Sequence, residues 1–473
     1  MTTSASQNSL EQLIPTPVRV NAPLIPTPWP GITPESSKRV AELLRENHVK
    51  FHCFFNDEGF HNHLAHHLLA AYALGCTPTL LEAAYDLHAS YQRDQKPSRS
   101  EITEQTWKDH LSKPAYYSAY MQFFQEAIAQ NGMSATLEKY VFSSDANSGN
   151  AAMFGRLFSG LLHPLIHFGH GPEFGLPGLA AEGLAMTAVT KNMCGGLFTP
   201  EFFAHKSSAN PGPHALSIAA RIMNDPELGY GKGADPESKA RFQSAIERSG
   251  ERLNKYFNEW SPEGDFTEKY EELVWLATAI YGFSGWRKGK EFKANFFMLH
   301  LVTSSLFLSS IHSILSPESG KLLLRGFLAA SLTYWVGHNR PGFTINEFFA
   351  DDSNTLVSPP HKDPKPAEDA LDASHLHQNP WFPILQSALN HPDEHLLKIQ
   401  RSLAHYAALY GARPKGHLAQ TELPGAAAID GSFFLRLASI TGQVKAWVRE
   451  GEPSHDAQWN RQYGNESSFG SKM

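Results

Sequence analysis

Residues 36–47 read Ser-Ser-Lys-Arg-Val-Ala-Glu-Leu-Leu-Arg-Glu-Asn, and their spacing sets the pattern for most of the chain. Val40, Leu43 and Leu44 fall at i, i+3 and i+4 among charged residues, with Ser36 available as a cap, which is the period of an amphipathic helix. The same period predicts helices over His61–Leu74, Leu80–Arg93, Tyr116–Ala129, Met153–Leu162, Pro236–Phe257, Phe266–Phe283, Phe296–Leu315, Lys321–Val336 and Leu396–Tyr410. Alternating β-branched runs are nearly absent. The expected fold is therefore all-α, a large single-body multi-helix domain over residues 35–473 that follows an extended, proline-rich arm over residues 1–34.

At 473 residues the chain is long for one core, since about 150 residues per domain would suggest three. With 41% hydrophobic and 18% charged residues it is neither disordered, collagenous nor a coiled coil. A net charge of −7 argues against a nucleic-acid partner. Cys53, Cys76 and Cys194 cannot build a disulfide framework, so a reducing compartment is expected. The opening residues are polar and interrupted by Pro15, Pro17, Pro23, Pro26 and Pro28, and no secretory signal is expected. Ala294–Leu315 has spanning length, but its Asn295, His300, Thr303, Ser304, Ser305, Ser309, Ser310 and His312 mark a buried helix rather than a membrane span. A cytoplasmic protein with no membrane partner follows, although Ser471-Lys472-Met473 approximates the Ser-Lys-Leu peroxisomal address. Gly169–Gly178 and the proline-rich Ser358–Pro366 punctuate the helical pattern, the second as an exposed loop or lid.

The 24 histidines stand against 40 Lys plus Arg, and imidazole is both a common metal ligand and the usual proton carrier near neutral pH. The densest run is His61-Asn62-His63-Leu64-Ala65-His66-His67. At about 100° per residue, His63 and His67 lie about 40° apart, so one could face an ion while the other supports it. A polar helix face with one core histidine explains the run equally well. A second pair, His163 and His167, flanks Pro164-Leu165-Ile166 in apolar surroundings. Pro164 should kink that helix or start a new one, with His163 as its entry residue. His300 lies in Phe296-Phe297-Met298-Leu299-His300-Leu301-Val302 and would complete a metal site between three buried helices.

Rival motifs are weaker. His391-Pro392-Asp393-Glu394-His395 matches HxxEH and HxD, but Pro392 and Asp393 look like first-turn residues that leave His391 outside the helix. No GxGxxG follows a strand and no Walker loop or GxSxG elbow is present, so NADPH has no motif to bind it.

The blocks His61–Gly75 (HNHLAHHLLAAYALG), Gly160–Phe174 (GLLHPLIHFGHGPEF), Phe296–Leu308 (FFMLHLVTSSLFL), Pro380–Pro383 (PWFP), His391–Tyr406 and Asp430–Leu437 (DGSFFLRL) run in order across nearly the whole chain. In these the chain resembles the questin oxidase-like family. The resemblance implies an oxidoreductase of polyketide secondary metabolism that opens the quinone ring of a hydroxylated anthraquinone to a benzophenone with O2. It also implies a non-haem Fe(II) site of four histidines and a CO2-carboxylated lysine. Carried onto this sequence, the ligands are His67, His163, His167 and His300 with Lys398 as the carbamate, and His63 as the alternate to His67. His63 or His66 would then take the phenol proton, with Phe168, Phe174, Phe297, Trp381 and Phe382 lining a flat pocket.

Periodicity alone places Lys398 opposite the stripe Leu396, Ile399, Leu403, Ala407 and Tyr410, on a solvated face. Gly337-His338-Asn339-Arg340-Pro341 departs from the Arg-Gly-Arg-Pro of the resembled family. Two other readings stand beside the iron oxygenase. One is an NADPH-dependent Baeyer–Villiger oxidase of the same substrates, and the other is a non-catalytic metal-binding helical protein.

Overall fold

The computed structural model describes residues 9–205, 212–228, 241–359, 362, 364–454 and 459–461. The tripeptide Ser471-Lys472-Met473 and the glycine run beginning at Gly229 lie outside the described residues. Among the described residues the fold is all-helical, and strand pairing is limited to isolated bridges such as Phe54 with His61. No helix of these residues is long and apolar enough to cross a membrane. The described residues divide into two compact units.

The first unit takes the residues up to Pro213, those of 241–273, and Thr303–Gly337. Its opening helices are α1 (Pro34–Lys50), α2 (Leu64–Ala73) and α3 (Pro78–Ala89), which pack on one another. Thr33 caps α1 by accepting from Ser36 N, and Thr77 caps α3 by accepting from Leu80 N, each with a proline in the first turn. Helices α4 (Tyr117–Leu137), α5 (His163–Phe174) and α6 (Pro177–Val189) follow, with α6 packed on both α4 and α5. Every residue of α2 and α5 is buried, as is every residue of α6 after its first, Pro177, the condition for central helices rather than amphipathic surface ones.

The glycines read as punctuation belong instead to this packing. Helix α5 runs through Gly169 and Gly171 and ends at Phe174, with Gly175 in the left-handed region at φ 65°. A Cβ on Gly183 of α6 would stand 2.5 Å from the Phe168 backbone of α5, so only glycine lets the two helices approach this closely. The arm is tied to the same helix, because Val18 N donates to Phe174 O at 3.0 Å and Val20 N to Glu173 O at 3.0 Å. It also holds a helical turn at 9–13.

The second unit takes the described residues of His214–Lys239, Val274–Val302 and those from His338 onward. The helix α7 (Phe296–Ser305) begins the expected 296–315 segment, which breaks at Leu306-Phe307 before a short turn at Leu308–His312. Helices α8 (Trp381–Asn390), α9 (Glu394–Tyr410) and α10 (Ser432–Lys445) pack together, α9 being buried from His395 to Ala404. The solvated face expected for Lys398 is therefore not there: both sides of α9 are covered along this stretch.

Candidate metal centre

The approach to His163 is conformationally unusual. Gly160, Leu161 and Leu162 all lie in the left-handed region, at φ 55°, 56° and 60°. For a residue with a Cβ this costs roughly 1–2 kcal/mol. The turn delivers His163 as the first residue of α5, with Pro164 next in its opening turn, where its missing N–H is not needed. It also aims the Gly160 carbonyl at His163 Nδ1, 2.7 Å away, so that Nδ1–H donates and Nε2 keeps its lone pair. His61 stacks on the His163 ring at 4.3 Å and 2°.

His63 immediately precedes α2, whose start is fixed by Asn62: its Oδ1 accepts from Leu64 N at 2.9 Å and its Nδ2 donates to Asn47 Oδ1 at 2.8 Å. The predicted helix thus begins three residues late, and His61 to His63 precede it outside the helix, with His63 as its N-cap at φ −101° and ψ 1°. His63 Nε2 lies 2.8 Å from His163 Nε2.

On α7, His300 is fully buried, and its Nδ1–H donates to Phe296 O one turn back at 2.7 Å, again leaving Nε2 as the lone-pair nitrogen. His395 opens α9 behind the cap Asp393, whose Oδ1 accepts from His395 N at 2.9 Å. Glu394 Oε1 lies 3.0 Å from His395 Nδ1 and orients that ring as an outer carboxylate does for a metal-ligating histidine. Asp393 is itself fixed by Lys445 Nζ at 2.8 Å and Trp459 Nε1 at 2.7 Å. Side-chain nitrogens of His63, His163, His300 and His395 all lie within 4.8 Å of one another, and all four rings are buried.

Lys398 is one helical turn beyond His395, so the two share a side of α9. Its Nζ is buried with no hydrogen-bond partner. Burial pulls the amine down to about 8, against the opposing pull of Glu394 and Asp393.

The other expected ligands are engaged elsewhere. His67 Nδ1 meets His88 Nε2 at 2.9 Å, and His88 Nδ1 contacts the Tyr91 hydroxyl. His167 sits between His66, 3.0 Å from its Nδ1, and Glu182, 2.7 Å from its Nε2. The structure thus groups His163 and His300 with His63 and His395, and holds His67 and His167 in separate networks. His391 lies outside α9, its Nε2 2.8 Å from Lys445 O, so the HxxEH spacing does not form one helix face. Of the aromatic residues expected to line a pocket, Phe168 and Phe174 are core residues, whereas Phe382 is 58% exposed.

Two residues escaped the sequence reading. His395 belongs to the weak HxxEH match, and its burial beside Lys398 on a helix covered on both sides is visible only in the structure. Glu182 is the lone carboxylate of Pro-Gly-Leu-Ala-Ala-Glu-Gly-Leu-Ala-Met-Thr-Ala-Val, a segment whose small and apolar residues already mark it as buried.

The chain is 31% identical over 312 residues to the oxidoreductase AflY of Aspergillus parasiticus, covering 62% of this chain and 61% of that protein's length. The Baeyer-Villiger oxidase ptaJ of Pestalotiopsis fici is 26% identical over 78% of this chain and 80% of its own. A questin oxidase of Aspergillus fumigatus is 27% identical over 84% of this chain and 86% of its own. The family model of Questin oxidase-like proteins matches residues 60–403, from just before the first histidine block into the helix that carries His395 and Lys398. With that match running over more than half of the sequence, the chain belongs to the Questin oxidase-like family.

Proposed function

We propose that this protein is a metal-dependent oxygenase that uses O2 to open the quinone ring of a hydroxylated anthraquinone. Fe(II) would be held by His63, His163, His300 and His395, with Lys398 adding an anionic oxygen as its CO2-derived carbamate. The observation that carries this reading is the buried group of four histidine nitrogens within 4.8 Å.

The donor set fits a metal. His163 and His300 each commit Nδ1–H to a backbone carbonyl, and His395 turns Nδ1 to Glu394, the arrangement that orients imidazole ligands. A buried amine lowered to about 8 and lacking a partner is partly neutral near neutral pH, and only the neutral amine reacts with CO2. Imidazole with a hard anionic oxygen suits iron. Iron bound there would supply the activation of O2 for which no side chain is equipped.

The surrounding residues have their own tasks. Burial of α2, α5 and α6 keeps bulk water from the histidines. His66, fully buried with its ring centroid 5.6 Å from that of His63, is the residue we assign to take the phenol proton of the substrate. Relatives named as Baeyer-Villiger oxidases favour a second reading, in which NADPH supplies two electrons, one oxygen atom enters the substrate and the other leaves as water.

Metal analysis followed by turnover of questin under 18O2 separates the two readings. Stoichiometric iron, chelator-sensitive turnover and no NADPH requirement are expected. Turnover that survives chelation and needs NADPH would overturn the iron reading.

A further inference from the structure

Glu182 lies at the middle of a buried hydrogen-bonded chain of ring and amide nitrogens. Its Oε2 is 2.7 Å from His167 Nε2 and its Oε1 2.5 Å from His48 Nδ1. Beyond these, His167 Nδ1 meets His66 Nε2 at 3.0 Å, and His48 Nε2 meets Gln125 Nε2 at 2.6 Å. His66, His167, Glu182 and His48 are all at most 5% exposed.

The donor and acceptor roles follow from the carboxylate. An ionised carboxylate can only accept, so His167 donates from Nε2 and, as a neutral ring, accepts at Nδ1. His66 must then donate from Nε2, which makes its Nδ1 an acceptor. On the other branch His48 donates from Nδ1 and accepts the Gln125 amide hydrogen at Nε2. With neutral rings no other assignment satisfies both contacts of Glu182. Burial opposes ionisation of Glu182, while the hydrogen bonds from His167 and His48 favour it, and the carboxyl lies below its ordinary value.

We infer that Glu182 is a positioning residue that acts through His167 to hold His66 in the tautomer whose Nδ1 accepts a proton. This rests on the reading of His66 as the proton acceptor. The His66 ring centroid is 5.6 Å from that of His63 and 6.4 Å from that of His163, which puts the acceptor beside the proposed ligands. In the step, the substrate O–H bond breaks, its electron pair stays on oxygen, and the proton forms a bond to His66 Nδ1. The imidazolium keeps its Nε2–H on His167, and the charge of Glu182 stabilises it along that line.

The test is the tautomer itself, read from two-bond 15N–1H correlations of 15N-histidine-labelled full-length protein purified without added metal. His66, assigned by the signal lost in His66→Gln, is expected with its hydrogen on Nε2. In Glu182→Gln the amide can give a hydrogen to His167, so the Nδ1–H form of His66 becomes populated and kcat falls at least about tenfold at unchanged KM. Adding Glu182→Gln to His167→Phe should cost nothing beyond His167→Phe alone. A wild-type His66 carrying its hydrogen on Nδ1, the pattern a charged His167 would impose, overturns the inference, as does a Glu182→Gln spectrum identical to wild type. If a variant does not fold, the wild-type spectrum decides alone. The expected tautomer in a protein that binds no metal would sink the iron reading and leave the role of Glu182 standing.

Discussion

His63 Nε2 and His163 Nε2 face each other across 2.8 Å, although one residue precedes α2 and the other opens α5. Two imidazoles this close either share a hydrogen or turn two lone pairs toward one ion. His163 already spends its ring hydrogen on Gly160 O, so as a neutral ring it can only accept from His63 or bind metal beside it. Both choices make the pair sensitive to loss of either member.

The pair separates two ligand sets. With His63, His163, His300 and His395 as ligands, His63→Ala and His395→Ala should each lower metal affinity beyond the roughly 10- to 100-fold that loss of a supporting residue costs. His67→Ala, which breaks the contact with His88, should keep near-stoichiometric metal and lose stability instead. Metal content after dialysis against a chelator, measured beside thermal unfolding, distinguishes them. Metal lost from His67→Ala and kept by His63→Ala would reverse the assignment.

The all-helical class was legible because its signal is local: a 3.6-residue period over many segments, with caps such as Thr33 and Thr77 where helices start. The site was legible only in part. His163 and His300 stood out because a histidine among apolar residues needs a reason to be buried. The choice between His63 and His67 depends on how α2 is entered, and Asn62 fixes that through Asn47, fifteen residues away in sequence. Periodicity alone misplaces Lys398 for a related reason: a stripe on α9 says which face is most apolar, and cannot say that the opposite face is covered too.

Lys398 offers a test with CO2. The amine lies near 8 instead of an ordinary 10.5, so at pH 7.5 about a quarter is neutral, against about a thousandth for an exposed lysine. Protein purified with 13C-bicarbonate and iron should show a carbamate carbon resonance, or a 44-dalton adduct on the peptide containing Lys398, that disappears in Lys398→Met. Because the folded state lowers this pKa, the ammonium form is disfavoured below about pH 8, and the penalty fades as pH rises through 8 toward 10.5. Metal-free Lys398→Met should therefore be more stable than wild type at pH 7 while binding iron more weakly.

Glu182 predicts a feature of acid unfolding. Its folded pKa of about 2 lies below the ordinary 4.5, so its stabilisation is complete above about pH 4.5 and is lost as pH falls toward 2. The difference is on the order of 3 kcal/mol. Urea unfolding of wild type between pH 5 and pH 3 should show stability falling with pH, and Glu182→Gln should start lower and fall less steeply. Parallel curves would mean that folding leaves the Glu182 pKa unshifted.

The left-handed turn before His163 predicts opposite outcomes for neighbouring leucines. Leu161 is half-buried and Leu162 fully buried, yet both hold the same strained backbone conformation. Asparagine tolerates that region better than leucine, because its short side chain can hydrogen-bond locally. At position 161, where little packing is lost, Leu161→Asn should raise stability by up to about 1 kcal/mol. At position 162 the same relief is outweighed, since Leu162→Asn leaves a void and buries an amide, costing about 2–4 kcal/mol. Thermal unfolding of the two variants measures the difference. Loss of stability in Leu161→Asn comparable to that in Leu162→Asn would mean that the turn is held by packing of both side chains rather than stored as backbone strain.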